Sequence, residues 1–165
     1  MCFKVLRYNN LKFSNQQSAI SKTQSGILLI NLGTPDTPHT REVRIFLREL
    51  LSCKRVLDIN PVWRWLLVNF VILPFRSRKS AKAYRKIWLE DGSPLLVYSQ
   101  KLKNALGEQL SEEKIPVELG MQCGRPSLKT AIAKLRGQNC DQIIVLPLYP
   151  QYASSSYGAA IEDLY

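Results

Sequence analysis

The sequence predicts an α/β fold in which helices flank a mostly parallel sheet. Three apolar runs of strand length support this prediction, and they fall at residues 26–33 (GILLINLG), 116–124 (PVELGMQCG) and 141–150 (DQIIVLPLYP). Segments with helical spacing separate the runs, and strands that alternate with helices indicate a parallel, doubly wound sheet. Ligands of such sheets bind beyond the carboxyl ends of the strands, so the loops after the three runs are the expected site.

The helices are predicted from the spacing of their apolar residues. After the first strand, Thr40 is placed to cap a helix with one apolar face. Pro61 and Pro74 bracket a mostly apolar segment that we interpret as a second helix. Further helices are predicted over residues 80–90, 96–110 and 127–138. Residues 151–165 are expected to form a small-residue loop that leads into a last helix.

Length and charge limit the possible classes of protein. At 165 residues the chain suffices for one domain, and its 45% hydrophobic content is ordinary for a folded protein. The formal net charge of +10 is unusual and favours a polyanionic partner. Nucleic acid, anionic lipid and a small acidic ligand all satisfy the charge alone.

The first 25 residues differ in composition from the rest. They are basic, rich in Ser, Asn and Gln, and without the apolar core of a secretory signal, so we expect a disordered leader over residues 1–25 and one domain over residues 26–165. The four cysteines are scattered and never form CxxC, which favours a reduced, intracellular chain. No apolar run reaches the ~20 residues that a membrane-spanning helix needs.

The stretch from Pro61 to Pro94 combines two kinds of surface. An aromatic and aliphatic run, residues 62–75, is followed by a basic segment, residues 76–86, in which six of eleven residues are Arg or Lys. A greasy surface beside dense positive charge suits a partner that is apolar and edged with negative charge. An acidic membrane face and an amphiphile that carries carboxylates both meet this description.

Motifs for other chemistry are weak or missing. Neither GxGxxG nor the Walker pattern is present, so a nucleotide site has little support. The single histidine, His39, lies in a proline-rich loop, and no metal site can be built from histidines alone. The run Ser154–Ser156 with Gly158 precedes a predicted helix, where backbone N–H groups can meet an anion.

Three motifs together resemble one family. NLGTPDTP after the first strand, YRKIWLEDGSPLLVYSQ and LPLYPQYASSSYG occur in order, and the chain from Gly26 to Tyr165 is similar to the amino-terminal half of ferrochelatases, particularly proteobacterial ones. The resemblance implies a Rossmann-like, chelatase-type parallel sheet that is one half of a two-half enzyme around a porphyrin cleft. It also implies the activity: insertion of ferrous iron into protoporphyrin or a related porphyrin in haem biosynthesis.

The resemblance assigns five substrate-binding residues. A basic pair that holds the porphyrin propionates falls on Arg76 and Lys79, with a tyrosine at Tyr84 and a serine at Ser93. Arg and Lys form charge-assisted bonds with carboxylates, and the two hydroxyl groups add neutral donors. Leu32 falls where the family packs a side chain against the macrocycle.

Three positions depart from the family pattern. Gln122 and Cys123 stand where some members have Arg-Tyr, so we carry over no role for them. Ser154 stands where the iron–sulfur members of the family have a cysteine, so we do not expect this residue to bind an iron–sulfur cluster.

The resemblance also bears on catalysis and partners. The family's catalytic histidine and glutamate fall beyond Tyr165, so we expect no catalytic residue, metal ligand or bound cofactor in this stretch, which should not metallate porphyrin alone. Iron and porphyrin are then substrates of a full enzyme whose other half is a carboxy-terminal partner. We expect a cytoplasmic protein that touches the inner membrane peripherally and binds no nucleic acid. The alternatives are a non-catalytic porphyrin- or haem-binding module and a basic protein that binds membranes or nucleic acid.

Overall fold

The computed structural model describes residues 4–7, 24–149, 151, 153, 158 and 160. Within these, four strands form one sheet in the order β1-β4-β2-β3. The strands are β1 (Lys4–Arg7), β2 (Ser25–Thr34), β3 (Val117–Gly124) and β4 (Gln142–Pro147). The central strand β2 pairs in parallel with both β3 and β4. The predicted α/β fold with a parallel sheet is therefore confirmed.

Helices join the parallel strands and cover both faces of the sheet. They are α1 (Thr40–Ser52), α2 (Pro61–Leu66), α3 (Leu73–Ile87), α4 (Pro94–Gln109) and α5 (Leu128–Gly137). Helix α5 covers one face through Leu128, Ala131 and Leu135, which pack on Leu28 and Ile30. Apolar residues of α4 cover the other face around Leu29. The alternation of side chains along β2 thus fills both cores, as a strand buried on both faces requires.

A third apolar cluster lies over the carboxyl end of β3. Val43 and Phe46 of α1 and Leu73 and Ala81 of α3 meet there with the buried side chain of Cys123. This cluster fixes α1 and α3 to the edge of the sheet where the site is expected.

The segment between Pro61 and Ile87 differs from its prediction. Two helices separated near Pro74 were expected, but α2 and α3 form one continuous rod joined by a π-helical segment, Leu67–Ile72. Pro74 has no N–H to donate and crowds the preceding turn, and the wider turn just before it, in which Leu73 N–H donates to Val68 C=O, accommodates both effects. We call this rod, Pro61–Ile87, the lip helix.

The π-helical segment also explains the apolar pattern of the lip helix. Its buried residues are Val68, Leu73, Ser77 and Ala81. The first gap is five residues and the next two are four, because the π-type bond joins residues five apart. A uniform helical period does not fit this spacing.

Serine side chains start two of the helices. Ser93 Oγ accepts a hydrogen bond from Leu96 N at 3.3 Å at the start of α4, and Ser127 Oγ accepts one from Thr130 N at 3.2 Å at the start of α5. The predicted cap at Thr40 is wrong by one residue, because His39 occupies the cap position and its side chain makes no capping hydrogen bond.

The predictions for the two ends of the chain have different outcomes. Residues 4–7 of the expected leader form β1, which runs antiparallel to β4 with Lys4 opposite Val145. The predicted loop and helix over residues 151–165, Ser154–Ser156 included, lie almost entirely outside the described residues.

An ion-pair cluster ties the outer strand to helices on both faces. Glu118 of β3 pairs with Lys103 of α4 at 3.0 Å, and Lys134 of α5 approaches the same carboxylate oxygen at 3.9 Å. The Glu118 side chain is only 12% exposed, so this contact is better shielded from solvent than an ordinary surface pair.

Candidate functional site

The carboxyl ends of β2 and β3 approach each other closely. Gly33 lies opposite Cys123 and Thr34 opposite Gly124. Gly33 adopts φ +103°, and a Cβ at this position would overlap the carbonyl oxygen of Cys123. Only glycine suits both the positive φ and the close backbone approach. Gly33, which directly follows Leu32, therefore allows the ends of β2 and β3 to come this close.

Polar side chains link the strand ends to neighbouring elements. Asn31 Nδ2 donates to Ser99 Oγ of α4 at 3.1 Å, and the Tyr149 hydroxyl donates to Gln122 Oε1 at 3.2 Å. The Thr34 hydroxyl is buried and has no partner among the described residues. It borders a cavity of about 40 Å³, large enough for a water molecule that would satisfy it.

Tyr84 lies at the inner flank of the lip helix, packed against the cluster around Cys123. Its ring contacts Phe46 edge-to-face with centroids 6.4 Å apart, and Trp88 edge-to-face with centroids 6.1 Å apart. Burial raises the pKa of the Tyr84 phenol above its ordinary value of 10.0. The hydroxyl therefore stays protonated, and able to donate a hydrogen bond, to a higher pH than that of an exposed tyrosine.

Arg76 and Lys79 lie on α3, and both are exposed. Three residues apart, they share the outward face of the helix. Tyr84 follows Arg76 by eight residues, which places it about 12 Å further along the axis. The structure therefore brings the basic pair together and sets Tyr84 two turns away, on the flank that packs against α1.

An aromatic surface precedes the basic pair on the same rod. Trp63, Trp65 and Phe70 are 68%, 58% and 63% exposed, and Phe75, adjacent to Arg76, is 79% exposed. Trp65 of α2 and Phe70 of the π-helical segment pack edge-to-face with centroids 5.6 Å apart. Exposed apolar surface that is this concentrated marks an interaction site in a protein.

The remaining two predicted residues have different environments. Leu32 is half-buried near the carboxyl end of β2, and its backbone N–H donates to Asn31 Oδ1 at 2.8 Å. Ser93 is only 2% exposed, and its oxygen caps α4. The hydroxyl hydrogen of Ser93 remains able to donate, but contact with a carboxylate would need more access than this structure provides.

The described part of the chain holds no group of three or more His, Cys, Asp or Glu side chains placed to bind a metal ion. Cys53, Cys123 and Cys140 take part in no disulfide within the described residues. The exposed His39 lies at the start of α1. No helix among the described residues is long and apolar enough to cross a membrane.

The environment of Tyr84 predicts a pH effect on stability. Raising the pKa in the folded state means that the folded chain keeps a proton that the unfolded chain releases, so the free energy of unfolding should fall as the pH rises through 10. Burial, and secondarily Asp141, raises the pKa of the Cys140 thiol in the same sense. Urea unfolding between pH 8 and 11 measures the fall.

Tyr84→Phe is the control for this effect, since phenylalanine keeps the ring and removes the ionisation. The variant should lose less stability than wild type between pH 9 and 11. Equal losses in the two proteins would show that Tyr84 does not contribute.

Several polar residues at the strand ends were not singled out from the sequence. Asn31 interrupts an apolar strand run, and this interruption was a usable signal. Thr34 and Tyr149 were assigned no role, and Gln122 was noted only as a departure from the family pattern, because the contacts of these residues depend on strand pairing and on which ends lie side by side.

Comparison with known proteins identifies the same family as the sequence motifs do. The family model for ferrochelatase matches residues 24–165. The chain is 50% identical over 139 residues to the ferrochelatase of Coxiella burnetii (strain Dugway 5J108-111), which covers 84% of this chain and 39% of that protein. It is 50% identical over 143 residues to the ferrochelatase of Marinomonas sp. (strain MWYL1), covering 84% of this chain and 43% of that protein.

The ferrochelatase of Escherichia coli O45:K1 (strain S88 / ExPEC) is 48% identical over 143 residues, with coverage of 87% of this chain and 44% of that protein. The chain thus spans about two fifths of the length of the curated relatives that it matches. The match covers nearly all of the described fold, from β2 onward, and the chain belongs to the ferrochelatase family.

Proposed function

We propose that this chain is the porphyrin-binding, amino-terminal part of a ferrochelatase that inserts ferrous iron into protoporphyrin or a related porphyrin in haem biosynthesis. The observation that carries the proposal is the surface of the lip helix, where exposed aromatic side chains adjoin Arg76 and Lys79. A porphyrin is a flat apolar ring edged with carboxylates, and this surface complements both parts of it.

Within this proposal each predicted residue has a role. Arg76 and Lys79 bind the propionates by charge-assisted hydrogen bonds, and Tyr84 adds a neutral O–H donor. Leu32 packs against the macrocycle from the end of β2. Ser93 fixes the start of α4 and contributes its hydroxyl hydrogen only if the site opens.

We propose further that these 165 residues do not metallate porphyrin alone. The resemblance implies that the base that takes the pyrrole protons is a histidine, with a glutamate partner, outside this stretch. His39 is a poor substitute, because it is exposed at the start of α1 and belongs to none of the clusters around Tyr84. A carboxy-terminal half would supply the missing chemistry.

The experiment is a titration of the purified chain with protoporphyrin, followed by addition of ferrous iron under reducing conditions. We expect a saturable shift of the Soret band and no increase in metallation over the uncatalysed rate. Turnover without a partner would contradict the proposed division of labour. Absence of any Soret shift would contradict porphyrin binding, and with it the non-catalytic porphyrin-binding alternative.

The same aromatic surface favours a second role, peripheral contact with a membrane. Trp63 and Phe75 project apolar surface beside a cationic helix, as interfacial helices do. Co-sedimentation with anionic vesicles tests this role, and binding should weaken steeply as salt is raised. Vesicle binding without any Soret shift would favour a basic membrane-binding protein over the porphyrin proposal.

A further inference from the structure

Asn69 is the only polar residue between Trp65 and Phe75 of the lip helix. It lies in the π-helical segment, directly after the buried Val68. Its side-chain Nδ2 donates a hydrogen bond to the backbone carbonyl of Trp65, four residues earlier, at 2.9 Å. Asparagine is a weak helix former, and side-chain bonds of this kind compete with the backbone ladder of a helix. Its place in an otherwise apolar run therefore has a reason other than helix formation.

The spacing of the buried residues supplies that reason. Counting back in fours from Ala81 through Ser77 and Leu73 gives position 69, which an ordinary α-helix would turn toward the core. The π-helical segment buries Val68 instead. Burying an amide side chain without hydrogen-bond partners costs free energy. An asparagine at position 69 therefore disfavours the ordinary helix and favours the wider turn.

The wider turn also decides which aromatic side chains meet. Trp65 and Phe70 are five residues apart, and in an α-helix this spacing separates two side chains by about 140° around the axis. Their rings nevertheless contact edge-to-face with centroids 5.6 Å apart, because a π-type turn brings residues five apart closer to one side. Loss of this turn would separate the rings and rotate α2 by about 100° relative to α3, which carries Arg76 and Lys79.

We propose that Asn69 is a positioning residue for porphyrin binding. Its hydrogen bond to Trp65 and its exclusion from the core maintain the wider turn, and this turn sets the orientation of the paired rings relative to Arg76 and Lys79. The inference rests on the proposed function, because it assigns a role within the same surface. In this role Asn69 acts through the aromatic pair and does not contact the porphyrin. π-Helical turns are frequent at functional sites, which agrees with this placement.

The test is a Soret titration with protoporphyrin, together with thermal unfolding of each variant. In Asn69→Leu the new side chain can be buried and favours a helix, so the chain should form the ordinary turn and remain at least as stable as wild type. Its porphyrin affinity should fall about fivefold or more, the size expected for one lost contact. Asn69→Ser supplies a hydroxyl that can donate to the same carbonyl, and it should recover most of that affinity.

The matched control is Asn104→Leu in α4. Asn104 also shares a side-chain hydrogen bond with a residue four positions earlier, since it accepts one from Gln100 Nε2 at 3.0 Å. This surface change should leave the porphyrin affinity within about twofold. The nuclear Overhauser effect between the rings of Trp65 and Phe70 reports the wider turn without porphyrin. We expect it in wild type and in Asn69→Ser, and we expect its loss in Asn69→Leu.

Four outcomes would overturn the inference. They are persistence of the Overhauser effect in Asn69→Leu, unchanged porphyrin affinity in that variant, equal weakening in the control, and a loss of stability that parallels the loss of affinity, which would indicate an ordinary structural role. A wild-type chain that gives no Soret shift would overturn the proposed function, and with it this role. Normal porphyrin binding by wild type and by Asn69→Leu would overturn the role of Asn69 alone.

Discussion

Replacing Gly33 with alanine is expected to destabilise the fold by about 2 to 5 kcal/mol. A positive φ costs a non-glycine residue roughly 1–2 kcal/mol, and forcing an extra methyl group into close-packed surroundings costs about 1–3 kcal/mol more. Both penalties apply at Gly33, where φ is +103° and the new Cβ would overlap the carbonyl oxygen of Cys123. The overlapping atom belongs to the backbone of Cys123 and not to a flexible side chain, so the two strands would have to separate.

Urea unfolding followed by circular dichroism measures this loss. The control is Gly107→Ala in α4, where a Cβ meets nothing within 4 Å. Alanine in the middle of a helix is favoured over glycine by about 0.5–1 kcal/mol. Gly107 lies in the last turn of α4, so this variant should gain stability by up to that amount. A Gly33→Ala protein as stable as wild type would contradict the described geometry at the strand ends.

Removing both basic residues, by Arg76→Ala with Lys79→Ala, should weaken porphyrin binding about 10- to 100-fold. Hydrogen bonds to charged groups contribute up to a few kcal/mol each, and exposure to solvent reduces this, so about 1.4–2.8 kcal/mol for the pair is reasonable. The side chains are exposed in the described structure, so folding should change little. The measurement is the Soret titration of each protein.

A matched control removes one arginine and one lysine elsewhere, by Arg44→Ala with Lys101→Ala, both at exposed positions off the lip helix. Its affinity for porphyrin should stay close to that of wild type at moderate salt. If the two double variants weaken binding equally, overall charge and not a propionate site would account for the effect.

Much of the fold could be predicted because its signals are local. The runs around Ile27–Ile30 and Ile143–Val145 are apolar and β-branched, and they form strands buried on both faces. Ser127 directly before a helical pattern marked the start of α5. Strand β1 could not be predicted in this way, since its place depends on pairing with β4, which lies far away in the sequence.

The lip helix shows where local signals mislead. Pro74 was taken to end a helix, as proline usually does. The π-helical segment before it depends on the balance between the missing N–H of Pro74 and the burial of Val68 and Leu73. No single residue type in the sequence indicates that balance.

The candidate site could likewise be predicted only in part. Arg76, Lys79 and Tyr84 could be named from the motif, and the structure places them on one helix. Burial could not be read from the motif. Ser93 is only 2% exposed and caps α4, whereas Phe75 is exposed because other residues of the lip helix form the face that packs against α1.

The π-helical segment has a consequence for how the chain tolerates changes of length. Its buried stripe passes from Val68 to Leu73 in five residues where an α-helix needs four. The wider turn thus accommodates one extra residue, and Leu73, Ser77 and Ala81 still face the core. A deletion of one residue within Leu67–Ile72 would convert the segment to ordinary helix and preserve that inward face, whereas the same deletion inside α3 would rotate everything after it by about 100°.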